Sequence, residues 1–254
     1  MKRFQGKTAI ITGASSGIGA CTAKTLAKEG CNLVLAARNT EKLKAAAEAC
    51  AAEGVEVLPV CADVSRQEDC CRLAETAASH FGAIDILVNN AGIADKHRPI
   101  DRLETDWYRH VLEINQNSVF YMMQAVLPHM KDAGKGAIVN ISSIGAVRSN
   151  SGLAYTTAKT AVIGMSKNVA LEFAPGNIRV NVVCPGPTPT ALNTPDQIAT
   201  FDADFAAQCN SHMALDDVPQ CTVQDQANAI CFLASDEAAG ITGQVLTVDH
   251  GMTI

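Results

Sequence analysis

Short β-branched runs alternate with longer Ala-rich stretches along almost the whole chain, and this alternation constrains the fold more than any other feature. The strand candidates are residues 8–12, 33–37, 55–61, 86–88, 137–141, 178–183 and 245–248. They read as continuous apolar runs without a polar face, as expected of strands covered on both sides. Helical periodicity places helices over 18–29, 41–53, 67–80, 107–131, 154–173 and 223–234. Gly30 and Gly54 follow the first two of these, where C-terminal caps belong. A repeating β–α order predicts a parallel sheet with right-handed crossovers. The expected class is therefore α/β: a doubly wound, seven-stranded parallel sheet with helices on both faces.

The chain has 254 residues, 48% apolar and 18% charged, enough to bury a large core. No Pro/Ser/Gly linker divides it and no internal repeat is evident, so 1–254 is expected to form a single domain. The formal charge of −6 argues against a nucleic-acid or anionic-membrane partner, which would need a basic face. No apolar run reaches the roughly 18–20 residues that span a bilayer, and the N-terminus lacks the pattern of a signal peptide. A cytoplasmic protein is expected. The ten cysteines, at 21, 31, 50, 61, 70, 71, 184, 209, 221 and 231, show no zinc-type spacing. They are expected to be free thiols, mostly buried as small apolar side chains, with no metal site.

One segment breaks the alternation. Residues 185–220 contain five prolines and no strand pattern, and from Pro195 to Asp225 there are six aspartates and no Lys or Arg. Long irregular insertions in compact domains are usually functional, so 187–222 is expected to be a lid over a substrate site. Ile198, Phe201, Phe205, Met213 and Leu215 would supply its apolar wall.

Between the first strand and the first helix lies Thr12-Gly13-Ala14-Ser15-Ser16-Gly17-Ile18-Gly19. Gly13 allows a tight turn, Gly17 lets backbone approach a pyrophosphate, and Gly19 lets the helix pack closely on the strand. The N–H groups of Ser15, Ser16 and Ile18 stand where a helix start meets phosphate. The second strand ends at Ala37-Arg38, with no carboxylate to hold ribose hydroxyls and repel a 2′-phosphate. A guanidinium there suits that phosphate, so NADP(H) is expected over NAD(H). Asp63 and Val64, after the third strand, are placed to reach the adenine edge.

Tyr155 and Lys159 are four residues apart and share one helix face. A phenol titrates near pH ~10, too high for proton exchange at neutrality, and an ammonium one turn away would lower it. Tyr155 then becomes an acid toward a carbonyl oxygen, or a base toward an alcohol. Ser142, at the end of the fifth strand, would orient that oxygen.

The glycine loop, Asn89-Asn90-Ala91-Gly92, Asn115, Ser142, Tyr155-Thr-Thr-Ala-Lys159 and Pro185-Gly186 together resemble the short-chain dehydrogenases/reductases. The resemblance spans essentially the whole chain and implies a Rossmann fold. It implies that Asn90, Ala91 and Gly92 line the cofactor, that Lys159 also bonds the nicotinamide ribose, and that Tyr155 adjoins it. It implies that Pro185, Gly186, Thr188 and Thr190 embrace the carboxamide. Asn115 would hold a helix open around a water in a proton relay, and of the adjacent serines the family's matches Ser142 rather than Ser143. A homotetramer associated through helices 107–131 and 154–173 is also implied. The sequence departs from the family where Ser16 replaces a frequent basic residue, where Gln116-Asn117 follows Asn115, and where His250 interrupts a usual Asp-Gly-Gly.

Within the family the sequence is most similar to bacterial hydroxysteroid dehydrogenases, including those for bile acids, on Met1-Lys-Arg-x-x-Gly-Lys7, Leu35-Ala-Ala-Arg38 and Asn140-Ile-Ser-Ser-Ile-Gly145. The expected substrate is thus an apolar secondary alcohol or ketone. The alternatives are a 3-oxoacyl-carrier-protein reductase, suggested by residues 234–244, and a general carbonyl reductase. An acidic carrier protein would meet an acidic lid, which opposes docking. A nucleotide-binding regulator without turnover would dispense with Tyr155 or Lys159, and both are present.

Overall fold

The computed structural model describes residues 2–211 and 218–254. Seven strands form one sheet: β1 (Thr8–Thr12), β2 (Asn32–Ala37), β3 (Val57–Cys61), β4 (Ile86–Asn89), β5 (Gly136–Ile141), β6 (Ile178–Pro185) and β7 (Val245–Val248). Their order is β3-β2-β1-β4-β5-β6-β7 and every neighbouring pair is parallel. The expected seven strands are all present, shifted at most a few residues at their ends. Pro59 sits in β3, an edge strand, where a missing N–H is tolerated.

Helices cover both faces. In chain order they are α1 (Gly17–Lys28), α2 (Thr40–Ala51), α3 (Gln67–Phe81), α4 (Thr105–Leu112), α5 (Ser118–Ala133), α6 (Ile144–Arg148), α7 (Leu153–Phe173), α8 (Pro195–Ile198), α9 (Ala203–Ser211) and α10 (Val223–Ala234). Successive strand residues point to opposite faces, and both faces are buried. Ala9 and Ile11 of β1 pack with Leu26 of α1 and Ile230 of α10. Ile10 packs on the other side with Leu73 of α3, Met122 of α5 and Val162 of α7. Two apolar layers therefore replace the polar face of a half-exposed sheet, which is why the strands show no alternation.

The continuous helix expected over 107–131 is interrupted. A π-helical turn, Glu113–Asn117, separates α4 from α5. The i→i+5 pattern inserts a residue into the ladder and turns Asn115 inward, where it is fully buried. Hydrophobic periodicity alone does not register one extra residue per turn.

Strand order reverses between β1 and β4, and open α/β sheets bind ligands outside the C-terminal strand ends at such a point. Here the loops after β1 and β4 are stitched together. The Thr12 hydroxyl accepts from the N–H groups of Asn90 (3.0 Å) and Ala91 (3.1 Å), and the Asn90 amide donates to the Thr12 carbonyl (3.0 Å). After β6 the chain leaves the sheet in short helices, α8 and α9, and returns at α10.

Candidate active site

A cleft of about 380 Å³ opens above this switch point. Its floor is the glycine loop, with Gly13, Ser15, Ser16, Gly17 and Ile18 all lining it. Gly13 has φ of +63°, and a Cβ there would stand 2.9 Å from the Ala91 Cα. The turn needs both the conformation and the space that only glycine gives. Gly19 lies behind the floor, where a Cβ would meet the Gly13 carbonyl oxygen at 2.5 Å, so its place is helix–strand packing. Ser16 caps α1 in extended backbone without a side-chain bond, which leaves the first N–H groups of the helix facing the cleft.

Arg38 lines one end of the cleft, beside Ala37 and Asn39. It is exposed and forms no ion pair among the described residues. Asp63 and Val64 line the adjoining wall, and Asp63 is held by the Ser65 N–H (3.1 Å) and hydroxyl (2.7 Å). Asn90, Ala91 and Gly92 form the opposite wall, and Thr190 closes over Gly17. Pro185, Gly186 and Thr188 are not part of the lining. Gly186 lies against Asp249, and the buried Thr188 hydroxyl bonds the Gly186 carbonyl and the Gln226 amide. The cleft also uses Ile93, Ile114, Ala191 and Leu192, apolar residues with no signal in the sequence. Gly13 and Gly19, which admit no side chain, together with the orphan N–H groups fit the phosphates of a nicotinamide dinucleotide.

The second half of the site gathers around the start of α7. Lys159 is buried, and its ammonium donates to the Ile141 carbonyl (2.8 Å). The Asn115 side chain clasps the Ile93 backbone, accepting from its N–H and donating to its carbonyl, both at 2.8 Å. A Cβ on Gly92 would stand 2.9 Å from Asn115 Oδ1 and 3.6 Å from Lys159 Nζ, so the three residues meet at the cleft wall. Asn115 from the π turn is thus brought to Lys159, which shares α7 with Tyr155.

The serines differ from expectation. Ser142 is buried, and its hydroxyl donates to the Lys159 carbonyl (2.7 Å). Ser143, whose hydroxyl accepts from the Gly145 N–H (3.0 Å), is the serine beside the Tyr155 phenol and pulls its titration down. The physical reason is the alternation at the end of β5: Ser142 faces the interior, and Ser143, in extended backbone as the cap of α6, faces the Tyr155 side.

The electrostatics also differ. Burial pushes the Tyr155 phenol up to about 12, against the pull of the Ser143 hydrogen bond and with the Asp95 charge adding to the rise. Burial pushes the Lys159 ammonium down to about 8. The expected lowering of the phenol by the neighbouring ammonium is not among these causes; burial is the first cause for both groups.

Asp95 is a site residue that the sequence reading missed. It is 2% exposed, and its carboxylate accepts from the N–H of Tyr155 (2.9 Å) at the N-terminus of α7 and from that of His97 (2.9 Å). Nothing in the sequence links positions 60 residues apart. His97 in turn stacks on Phe201, ring centroids 4.3 Å apart, which ties the segment after β6 to the loop after β4. Of the expected apolar wall, Phe205 lines a second cavity of about 550 Å³ with Pro99, Ile100 and Leu153. Ile198 is exposed, and Met213 and Leu215 lie outside the described residues.

Comparison with known proteins agrees with this architecture. The family model described as enoyl-(acyl carrier protein) reductase matches residues 13–253. The chain is 38% identical to cis-4-hydroxycyclohexanecarboxylate dehydrogenase of Sinomonas cyclohexanicum, over 98% of each chain. It is 36% identical to 7alpha-hydroxysteroid dehydrogenase of Bacteroides fragilis, over 100% of this chain and 97% of that one. It is 37% identical to the 3-oxoacyl-[acyl-carrier-protein] reductase of Staphylococcus epidermidis, over 97% and 98%. The crystal structure of levodione reductase superimposes with a TM-score of 0.91 at 30% identity, over 99% of both chains. The chain belongs to the short-chain dehydrogenase/reductase family. It is an oxidoreductase acting on alcohols or ketones. No helix among the described residues is long and apolar enough to cross a membrane.

Proposed function

We propose that the protein interconverts an apolar secondary alcohol and its ketone with NADP(H), and that the substrate is a hydroxysteroid of the bile-acid type. The observation that carries the cofactor assignment is Arg38 at the end of β2, lining the cleft where Ala37 leaves no carboxylate. A guanidinium in that place binds a 2′-phosphate through charge-assisted hydrogen bonds. The glycine loop, the first N–H groups of α1, Asn90 and Thr190 would hold the rest of the dinucleotide, with Lys159 at the nicotinamide ribose and the Pro185–Thr188 turn beside the carboxamide. The bound nicotinamide supplies or accepts the hydride.

The chain's own residues handle the proton. A phenol held near 12 is protonated at neutral pH, so Tyr155 donates from its hydroxyl to the substrate oxygen in the reducing direction. In oxidation the phenol first releases its proton to solvent, and the phenolate oxygen then takes the alcohol proton. Ser143, within hydrogen-bond reach of Tyr155, holds the substrate oxygen in line and stabilises its charge. Ser142 fixes the Lys159 backbone, Asp95 fixes the first turn of α7, and Asn115 fixes the Ile93 backbone at the cleft wall.

For the substrate, the cavity of about 550 Å³ beside Leu153, two residues ahead of Tyr155, offers Pro99, Ile100 and Phe205 to an apolar ring system. That volume falls in the range of about 300–1,000 Å³ usual for small-molecule sites. The likeness to a 7alpha-hydroxysteroid dehydrogenase supports the same reading. Segment 187–222 acts as the lid. Association as a homotetramer is supported by apolar side chains on the outer faces of α5 and α7, with Phe120 46% and Leu171 78% exposed.

Initial rates with NADP⁺ and NAD⁺ in parallel, across 3-, 7-, 12- and 17-hydroxysteroids including bile acids, test the proposal. One strongly preferred hydroxyl with NADP⁺ supports it. Silence across the steroids together with turnover of a 3-oxoacyl thioester would replace it with carrier-protein reduction.

A further inference from the structure

The donor atoms of Cys221, Asp225 and His250 lie within 4.8 Å of one another, in a place the reaction above does not use. Cys221 stands just before α10, Asp225 in its first turn, and His250 in the turn that follows β7. Cys221 lies just ahead of the Thr222 cap and Asp225 in the first turn, so the start of α10 supplies two donors and the C-terminal turn the third. Asp225 is fixed in advance by the capping box of α10: the Thr222 N–H and hydroxyl both donate to its Oδ2 at 2.7 Å. The Cys221 side chain is buried, and its sulfur lies beside the backbone N–H of His250.

A second observation concerns His250 itself. Its φ is +55°, in the left-handed region that favours glycine, and its side chain is nonetheless directed to this cluster. A side-chain-bearing residue held in that region marks a position where the side chain has a use.

We propose that Cys221, Asp225 and His250 form a binding site for a zinc-class divalent metal ion, which fastens the C-terminal turn to the base of segment 187–222. Sulfur, imidazole and carboxylate together are a zinc donor set, whereas magnesium and calcium select oxygen alone. Three protein ligands leave a fourth, solvent-facing position. On binding, the Cys221 thiol releases its proton to solvent and the sulfur exchanges its contact with the Val248 carbonyl (3.5 Å) for the metal. The structural consequence follows from the neighbours. The Cys221 N–H already donates to the Pro187 carbonyl (3.1 Å), and Gln226 bridges the Val248 carbonyl (2.9 Å) and the Thr188 hydroxyl (3.3 Å). A metal at this point closes the same ring of contacts with coordinate bonds. His250 is 25 or more positions from the other two and only one cysteine is involved, which is why cysteine spacing predicted no metal site.

The test is cobalt titration of the full-length, chelator-stripped chain. One equivalent of Co²⁺ per chain should give a thiolate-to-cobalt charge-transfer band that Zn²⁺ displaces. Cys221→Ser should abolish the band. His250→Gly, which relaxes the backbone and so keeps the fold, should weaken Co²⁺ binding at least tenfold and remove the rise in Tm that Zn²⁺ gives the unaltered chain. Absence of a stoichiometric band overturns the proposal. So does a band that survives Cys221→Ser, since it then arises from another of the ten thiols, such as exposed Cys61 or Cys71.

Discussion

Ser142 and Ser143 stand side by side at the end of β5 and send their hydroxyls in opposite directions. Ser142 reaches inward to the Lys159 carbonyl at 2.7 Å, while Ser143 meets the Tyr155 side chain. The two serines should therefore fail differently. Ser143→Ala is expected to lower kcat about 10²–10³-fold, the usual loss of one donor to developing charge, with a modest loss of stability from the α6 cap. Ser142→Ala removes a buried hydrogen bond and should cost about 0.5–1.5 kcal/mol of stability, with the smaller effect on kcat. Steady-state kinetics alongside urea unfolding separate them, and a larger kcat loss in Ser142→Ala would reverse the assignment.

Among the described residues, Arg38 is the only basic side chain at the β2 end of the nucleotide cleft. Arg38→Ala removes a charge-assisted bond worth about 1.5–3 kcal/mol, which is about 10–100-fold in KM for NADP(H). KM for NAD(H) should stay within about twofold. An equal rise for both cofactors would remove Arg38 from phosphate recognition.

Tyr155→Phe removes the proton donor and keeps the ring. Turnover should fall by at least about 10²–10⁴-fold while nucleotide binding, read by fluorescence titration, is retained. Preserved turnover would break the proposed mechanism.

Lys159 ties stability to pH. Its folded value of about 8 lies below the ordinary lysine value of 10.5. Between those limits the unfolded chain binds more protons, so stability rises with pH by up to about 1.4 kcal/mol per unit. Below pH ~8 both states carry the charge and the slope vanishes. Urea midpoints from about pH 7.5 to 9.5 should climb in the nucleotide-free chain and lose this contribution in Lys159→Met. An identical climb in the variant would assign it to another group.

Asp95 raises the Tyr155 phenol by its charge and holds the Tyr155 N–H at 2.9 Å. Asp95→Asn should shift the Tyr155 titration to lower pH, read as tyrosinate absorbance with Tyr108 and Tyr121 changed to Phe. An unchanged titration would show that burial alone sets the phenol.

The class of fold was legible because strand and helix periods differ and both are written in apolar spacing. The glycine loop, Asn90, Arg38, Tyr155 and Lys159 were legible because each stands in a short local pattern with one chemical use. Asp95 was not, because its partners lie 60 residues away and an aspartate in a loop looks like any solvated charge. The π turn at Asn115 was legible only through the family resemblance, because one inserted residue barely disturbs helical periodicity.

By itself, the sequence determined the order of elements, the two apolar layers, the phosphate loop and the tyrosine–lysine pair on one helix face, since all of these depend on neighbours within a turn or a strand. Only the tertiary structure decided which serine faces Tyr155, how far burial moves Tyr155 and Lys159 from their ordinary titration, and that Cys221, Asp225 and His250 converge. Those properties depend on side-chain direction, exclusion of water and contacts between distant segments, none of which spacing along the chain encodes.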